Sequence, residues 1–286
     1  MVLDFWYSEN HTENVKFSLR IKEQIYSHKS KFQQIDIFDS FDFGRVLTLD
    51  GLIMLTEKDE YIYHEMISHV PMATNPNIKN ILVIGAGDGG AARELCRYKS
   101  IENIDICEID SEVIEVSKKY LPFTACGFDD KRVHIFIDDG LKFVRHKENI
   151  YDLIIVDSTD PFGPGESLFT KEFYGNCRKA LKSDGILINQ QESVFYPNYA
   201  ESMKRAHSRV KNFFKLCLCY QAHIPSYPSG HWLFGFASDV FDPRRDLDEE
   251  NWKKLGIKTR YYNLPLHRGA FAIPQYVRDA LREVEK

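Results

Sequence analysis

The rhythm of hydrophobic and polar positions changes near residue 60. Before it, alternating or aromatic runs at 17–25, 32–38, 45–49 and 52–55 predict short strands, and Asp50-Gly51 between the last two is a hairpin signal. Residues 22–30 are polar enough to form a turn or a strand end. The stretch EKDEYIYHEMISHV, 57–70, sets acids ahead of apolar residues at helical spacing and meets Pro71, which predicts a helix. Beyond it, apolar runs at 80–84, 104–109, 133–137, 151–156 and 185–189 alternate with helical patterns at 91–98, 111–120, 141–147 and 171–180. That alternation predicts βαβ units and a mainly parallel sheet covered on both faces. A helix at 199–210 and two β-rich runs, 213–220 and 232–237, flank a Pro-rich loop and predict an antiparallel finish. The last forty or so residues, polar and then partly aromatic, carry no functional signal. The order implies an α/β fold: a doubly wound sheet over 59–286 behind a small N-terminal antiparallel β-domain over 1–58.

Composition narrows the function classes. The chain has 286 residues, 43% of them hydrophobic, enough for one large core with an appendage. A formal net charge of -5 without a basic block argues against nucleic acid and leaves room for polyvalent cations. No apolar run approaches a membrane span, so a cytoplasmic protein without a membrane partner is expected. The six cysteines show neither a CxxC pair nor a zinc-like spacing, and no metal or disulfide is expected.

Candidate chemistry lies at the strand ends. ILVIGAGDGG puts Gly85, Gly87, Gly89 and Gly90 between a strand and a helix, which suits a dinucleotide or an adenosylmethionine-type cofactor. Asp88 within the loop would repel a pyrophosphate and favour a sulfonium cation, or would simply cap the following helix. Glu108, about twenty residues on, ends the next strand where an acid can accept two ribose hydroxyls; Asp138-Asp139-Gly140 ends the third, where adenine would lie. Asp157 and Asp160 leave the fourth in VDSTDPFGPGESLF, a loop shaped by Pro161, Gly163, Pro164 and Gly165. Such a pair suits an amine, a metal ion or a cationic substrate. A metal site of this kind usually serves a phosphate, and these loops are acidic.

EKDEYIYHEM, GAGDGG, ICEID, IDDG, DSTDPFGPGESLF, IPSYPSG and HRGAFAIP, in this order, resemble the spermidine synthase family of polyamine aminopropyltransferases over nearly the whole chain. The resemblance implies a Rossmann-like sheet of the adenosylmethionine-dependent transferase type. It implies transfer of an aminopropyl group from decarboxylated S-adenosylmethionine, a co-substrate rather than a resident cofactor, to putrescine, giving spermidine and methylthioadenosine. Asp157 is then the proton acceptor; Tyr63, His64, Asp88, Ser158, Thr159, Asp160 and Tyr227 join it in binding the amine. Gln33, Gly85, Gly87, Asp88, Glu108, Asp139, Gly140 and Pro164 would hold the nucleoside, and a homodimer or homotetramer is implied. Without the resemblance, Tyr63 and His64 read as helix packing, Gln33 as a solvent-facing strand residue, Tyr227 as a loop former and Trp232 as core. Ala86 stands where the family often has glycine, and its methyl is expected to be tolerated on ordinary backbone dihedrals. NQQESVFYPNY departs from commoner versions of its loop and leaves the acceptor open: cadaverine, agmatine or spermidine are alternatives. A putrescine N-methyltransferase, a non-catalytic polyamine- or nucleoside-binding protein and a dehydrogenase are the remaining alternatives.

Overall fold

A computed structural model describes residues 4–158 and 163–285, without the side chains of Gly163, Pro164 and Glu166. Five antiparallel strands, β1 (Phe5–Asn10), β2 (Lys16–Lys29), β3 (Gln34–Ser40), β4 (Gly44–Leu49) and β5 (Leu52–Thr56), pair in chain order as a meander. Two of them depart from the predicted pattern. β1 was not anticipated, because its Phe5 and Trp6 lie exposed and only Glu9 among its six residues is buried. β2 runs on through the stretch expected to turn, pairing up to Lys29↔Gln34, and register shifts near Ile21/Glu23 and Gln24/Tyr26 break the alternation that would have revealed it.

Helix α1 (Glu60–Thr74) follows. It starts three residues later than predicted because residues 57–59 form a turn still tied to the sheet, the Glu57 N–H donating to Arg45 O at 2.8 Å. It also continues through Pro71 for one more turn. Nearly all of α1 is buried, and packing outweighs the one backbone hydrogen bond that a proline removes.

The second sheet has the order β11-β12-β10-β9-β6-β7-β8, with β6 (Asn80–Gly85), β7 (Asn103–Glu108), β8 (Val133–Ile137), β9 (Tyr151–Asp157) and β10 (Leu181–Gln190) parallel. β11 (Leu216–His223) and β12 (His231–Ser238) close it antiparallel. Helices α2 (Gly90–Cys96), α3 (Ser111–Tyr120), α4 (Pro122–Ala125), α5 (Gly140–Arg145), α6 (Lys171–Ala180) and α7 (Pro197–Lys211) cover its two faces. This is the α/β doubly wound architecture expected. Chain order reverses between β6 and β9, where Gly85 pairs with Asp157, and the crevice at such a reversal is where open α/β sheets bind ligands.

The C-terminal forty or so residues form α8 (Glu249–Leu255), α9 (Leu264–Ala270) and α10 (Gln275–Val284). They serve as a brace: the backbone N–H groups of Arg260, Tyr261 and Tyr262 each donate to the buried Glu65 carboxylate at 2.8 Å, which pins α1 from behind.

Candidate active site

One cavity runs along the C-terminal ends of the strands and under the small sheet. Gln33, Tyr63, His64, Gly85, Gly87, Asp88, Glu108, Asp139, Gly140, Asp157, Ser158 and Tyr227 all line it, so these predicted positions converge on one space. Thr159 and Asp160 lie outside the described residues, and Pro164 belongs to a helical turn, Gly163–Phe169, with its side chain undescribed. Sheet order arranges the rest along an axis. Asp139 follows β8, Glu108 ends β7, Gly85 ends β6, Asp157 ends β9, Gln190 ends β10 and Trp232 lies on β12.

At the β7 and β8 end, Glu108 is 8% exposed, and one carboxylate oxygen accepts the Asp110 N–H at 2.9 Å. Burial raises its pKa to about 7. Asp139 accepts the N–H groups of Leu141 at 2.8 Å and Lys142 at 3.2 Å, so it caps α5 while facing the cavity. Gln33 is buried rather than solvent-facing, and its amide nitrogen donates to Asp110 at 3.1 Å, fastening the small sheet to this end. A Cβ on Gly87 would sit 3.1 Å from Glu108 and 2.8 Å from Val113, so the glycine lets the loop lie flat against that acid.

At the centre, Tyr63 donates to Asp157 Oδ1 at 2.6 Å, while Asp157 Oδ2 is buried without a hydrogen-bond partner among the described residues. Burial, and then the Asp88 charge, raises the Asp157 pKa to about 6. Asp88 goes the other way. Burial pushes it up, but the His64 cation and the Gly90 N–H outweigh burial and hold it below its ordinary value. Two neighbouring acids pushed apart in this way are fitted for different tasks. Asp88 Oδ1 accepts the Gly90 N–H at 2.7 Å, so it contributes to the start of α2 and to the cavity at once. A Cβ on Gly90 would overlap the His64 ring, so this glycine makes room for a histidine rather than for a phosphate. Gly90→Ala is therefore expected to cost about 1–2 kcal/mol of stability, an overpacking penalty partly offset by helix propensity, read as a lower thermal midpoint. A midpoint equal to that of the parent would show that the ring has room to move.

The methyl of Ala86 does not rest on ordinary dihedrals as expected. Its φ is 61°, in the left-handed region that costs a residue with a Cβ about 1–2 kcal/mol. The neighbouring strand ends account for it: Ala86 N–H donates to Asp157 O at 2.9 Å and Gly89 N–H to Ala86 O at 3.0 Å, which fix the tight turn.

At the β10 and β12 end lie residues missed as candidates. Glu9, 3% exposed, lines the cavity and accepts the Ile53 N–H at 2.6 Å. Gln190 and Tyr199 also line it, and so does Trp232, whose buried indole N–H has no hydrogen-bond partner among the described residues. Tyr227 donates to Met54 O and its ring packs 4.8 Å from Trp232. Gln190 and Tyr199 fall in NQQESVFYPNY, singled out only for departing from the family, and Trp232 carried no motif; an isolated acid in an aromatic strand, Glu9 in FWYSEN, hinted at a buried role.

Residues 60–247, more than half the chain, match the spermine/spermidine synthase domain. The chain belongs to that family. Residues 5–57 match the spermidine synthase tetramerisation domain. The polyamine aminopropyltransferase of Alkaliphilus oremlandii is 64% identical over 284 residues, covering 99% of this chain and 100% of the relative. That of Clostridium botulinum strain Alaska E43 is 66% identical over 281 residues, covering 98% and 99%. Among solved structures, a spermidine synthase in complex with the transition-state analogue AdoDATO superposes with a TM-score of 0.95 at 44% identity, covering 98% of this chain and 95% of that one. The spermidine synthase of Thermotoga maritima gives 0.91 at 43% identity, covering 97% and 94%. No helix among the described residues is long and apolar enough to cross a membrane.

Proposed function

We propose that this polyamine aminopropyltransferase is a spermidine synthase, moving the aminopropyl group of decarboxylated S-adenosylmethionine onto putrescine. The observation that carries the proposal is the unequal carboxylate pair at the β6/β9 crevice, with Asp157 Oδ2 unpartnered among the described residues and Asp88 held ionised. Strands about 4.8 Å apart measure out the substrates along the axis. Glu108 accepts the ribose hydroxyls, Asp139 and Gly140 border the adenine with Pro164 beside them, and Gln33 closes that end from the small sheet. Asp88 takes the ammonium of the aminopropyl arm. Tyr227, Gln190, Trp232 and Glu9 surround the acceptor amine with Tyr63 and Ser158, and Thr159 and Asp160, outside the described residues, are assigned to amine binding by their motif alone.

The attacking nitrogen must be neutral. Putrescine arrives with amines of pKa near 10, and Asp157, lifted to about 6, is a stronger base than an ordinary carboxylate. Tyr63 holds one of its oxygens and leaves the other for the amine proton. As that proton passes to Asp157, the nitrogen displaces sulfur at the aminopropyl carbon. The C–S electron pair goes to sulfur, and neutral methylthioadenosine leaves. Ordinary S-adenosylmethionine would set its carboxylate against Asp88 and be refused.

Mass spectrometry of products from putrescine, cadaverine, agmatine and spermidine, each with decarboxylated and ordinary S-adenosylmethionine, tests the proposal. Spermidine and methylthioadenosine from putrescine at the highest kcat/KM are expected; methylputrescine, or a better acceptor than putrescine, would replace it. The tetramerisation-domain match and the exposed Phe5, Trp6 and Phe41 on the small sheet support a homotetramer.

A further inference from the structure

His64 is surrounded more elaborately than an amine-lining residue requires. It is 3% exposed, with ring Nδ1 2.6 Å from Glu60 Oε2 and Nε2 3.2 Å from Asp88 Oδ1. A neutral imidazole has one N–H and one lone pair. It could donate to only one of these carboxylates and would turn a lone pair on the other. The doubly protonated ring satisfies both. Glu60 is committed as an anion in turn, because Arg93 grips its two oxygens at 2.8 and 2.9 Å. The row Arg93, Glu60, His64, Asp88 thus alternates in charge from α2 through α1 to the cavity wall.

We propose that Glu60, braced by Arg93, fixes His64 as a permanent imidazolium, and that this cation is a positioning group which pins Asp88 Oδ1 and turns Oδ2 toward the co-substrate's ammonium. The positioning half rests on the role given to Asp88 above. The Gly90 N–H bond and the His64 ion pair both fall on Asp88 Oδ1, and Oδ2 makes no such contact among the described residues. The charged groups facing the ring are Glu60 on α1, Asp88 in the glycine loop, Arg93 on α2 and Asp157 at the end of β9, with the neutral Tyr63 beside them. Burial opposes a charge on His64, but Asp88 and Glu60 outweigh it and raise its pKa to about 10. The donor atoms of His64, Asp88 and Asp157 lie within 4.8 Å of one another, as a metal site's would, yet a ring protonated on both nitrogens has no lone pair to offer.

Long-range proton–nitrogen NMR of the ligand-free protein, with the ring assigned by its loss in His64→Gln, reads the charge directly. Both nitrogens are expected at imidazolium shifts from pH 6 to 9; a ring that titrates within that window overturns the proposal, whether or not any variant folds. Glu60→Gln should bring the titration into the window. It should then raise KM for decarboxylated S-adenosylmethionine about tenfold at pH 9, the scale of one misoriented charge-assisted hydrogen bond, and by less than about twofold at pH 6.5, where the ring recharges. A defect equal at both pH values would mean that Glu60 only supports the fold and would overturn the positioning role. Asp88→Asn with an unchanged KM would instead remove the role of Asp88, a failure distinct from a neutral His64.

Discussion

Asp157→Asn is expected to lower kcat by about a thousandfold at pH 8, within the range that loss of a general base produces, with little change in KM for decarboxylated S-adenosylmethionine. The asparagine carbonyl can still accept the Tyr63 hydroxyl that Oδ1 accepts at 2.6 Å, so the local geometry survives. What disappears is Oδ2 as an anionic oxygen, which is buried with no hydrogen-bond partner among the described residues. Folding should not suffer, because the substitution removes a buried charge beside Asp88, the second-largest cause of its raised pKa. Release of methylthioadenosine under steady-state conditions, together with a thermal melt, measures both effects. A kcat within threefold of wild type would sink the role of Asp157 as proton acceptor, and a tenfold rise in the amine KM at unchanged kcat would reduce it to a binding group.

The same residue sets the pH profile. Asp157 must be ionised to accept a proton, and burial and Asp88 place its pKa at about 6. The wild-type kcat/KM for the amine should therefore fall tenfold per unit below pH 6, and the residual activity of Asp157→Asn should lack that limb. An ordinary carboxylate would set the limb near pH 4. Lifting the base by about two units recovers on the order of 2–3 kcal/mol of the mismatch with a free ammonium. The remainder falls to orientation and to exclusion of water.

The large sheet is legible in the sequence because β6, β9 and the second half of β10 are buried on both faces and read as nearly unbroken apolar runs, while the shorter apolar stretch of β7 is marked out by the helical patterns on either side. The boundaries of α3 and α6 are equally plain, since Asp110 and Thr170 cap them with side-chain hydrogen bonds. The strands of the small sheet are harder to read where one face meets solvent or a bulge shifts the phase, as in β1 and β2. The C-terminal brace escapes because its partner is remote: Glu65 is held by the loop between α8 and α9, nearly two hundred positions away. In the site, acids at strand ends advertise themselves, and Asp88, Glu108, Asp139 and Asp157 all meet in one cavity. Glu9, Gln190 and Trp232 do not, because a strand residue's face toward the cavity depends on how the two sheets dock. Glu60 lay within a motif whose helix was predicted, yet its pairing with His64 needed both the i,i+4 register of α1 and the approach of Arg93 from α2.

Glu108→Gln should move stability and binding in opposite directions. The carboxylate lies 8% exposed and receives the Asp110 N–H, and no cation figures among the causes of its shift. Burial raises its pKa from 4.5 to about 7, so the folded, ligand-free protein resists its ionisation. The sign follows from linkage: a raised carboxyl pKa gives stability that is present below pH 4.5 and lost as pH climbs through 7. At pH 8 wild type has lost on the order of 3 kcal/mol in this way, whereas glutamine, which never ionises, has lost nothing. The variant should therefore melt higher than wild type at pH 8, and the difference should close as pH falls toward 4.5. Methylthioadenosine affinity should fall by about two orders of magnitude at pH 8, the scale of two hydroxyl bonds to a charged acceptor becoming bonds to a neutral one. Wild-type affinity, measured by calorimetry, should itself rise as pH passes through 7 and Glu108 ionises. A variant that melted lower at pH 8 would show that the carboxylate is already satisfied in the empty site, and one that bound the nucleoside undiminished would take the ribose away from β7. If both expectations hold, the ribose acid is kept at the expense of the empty protein's stability, and the bound nucleoside supplies the hydroxyl donors that offset it.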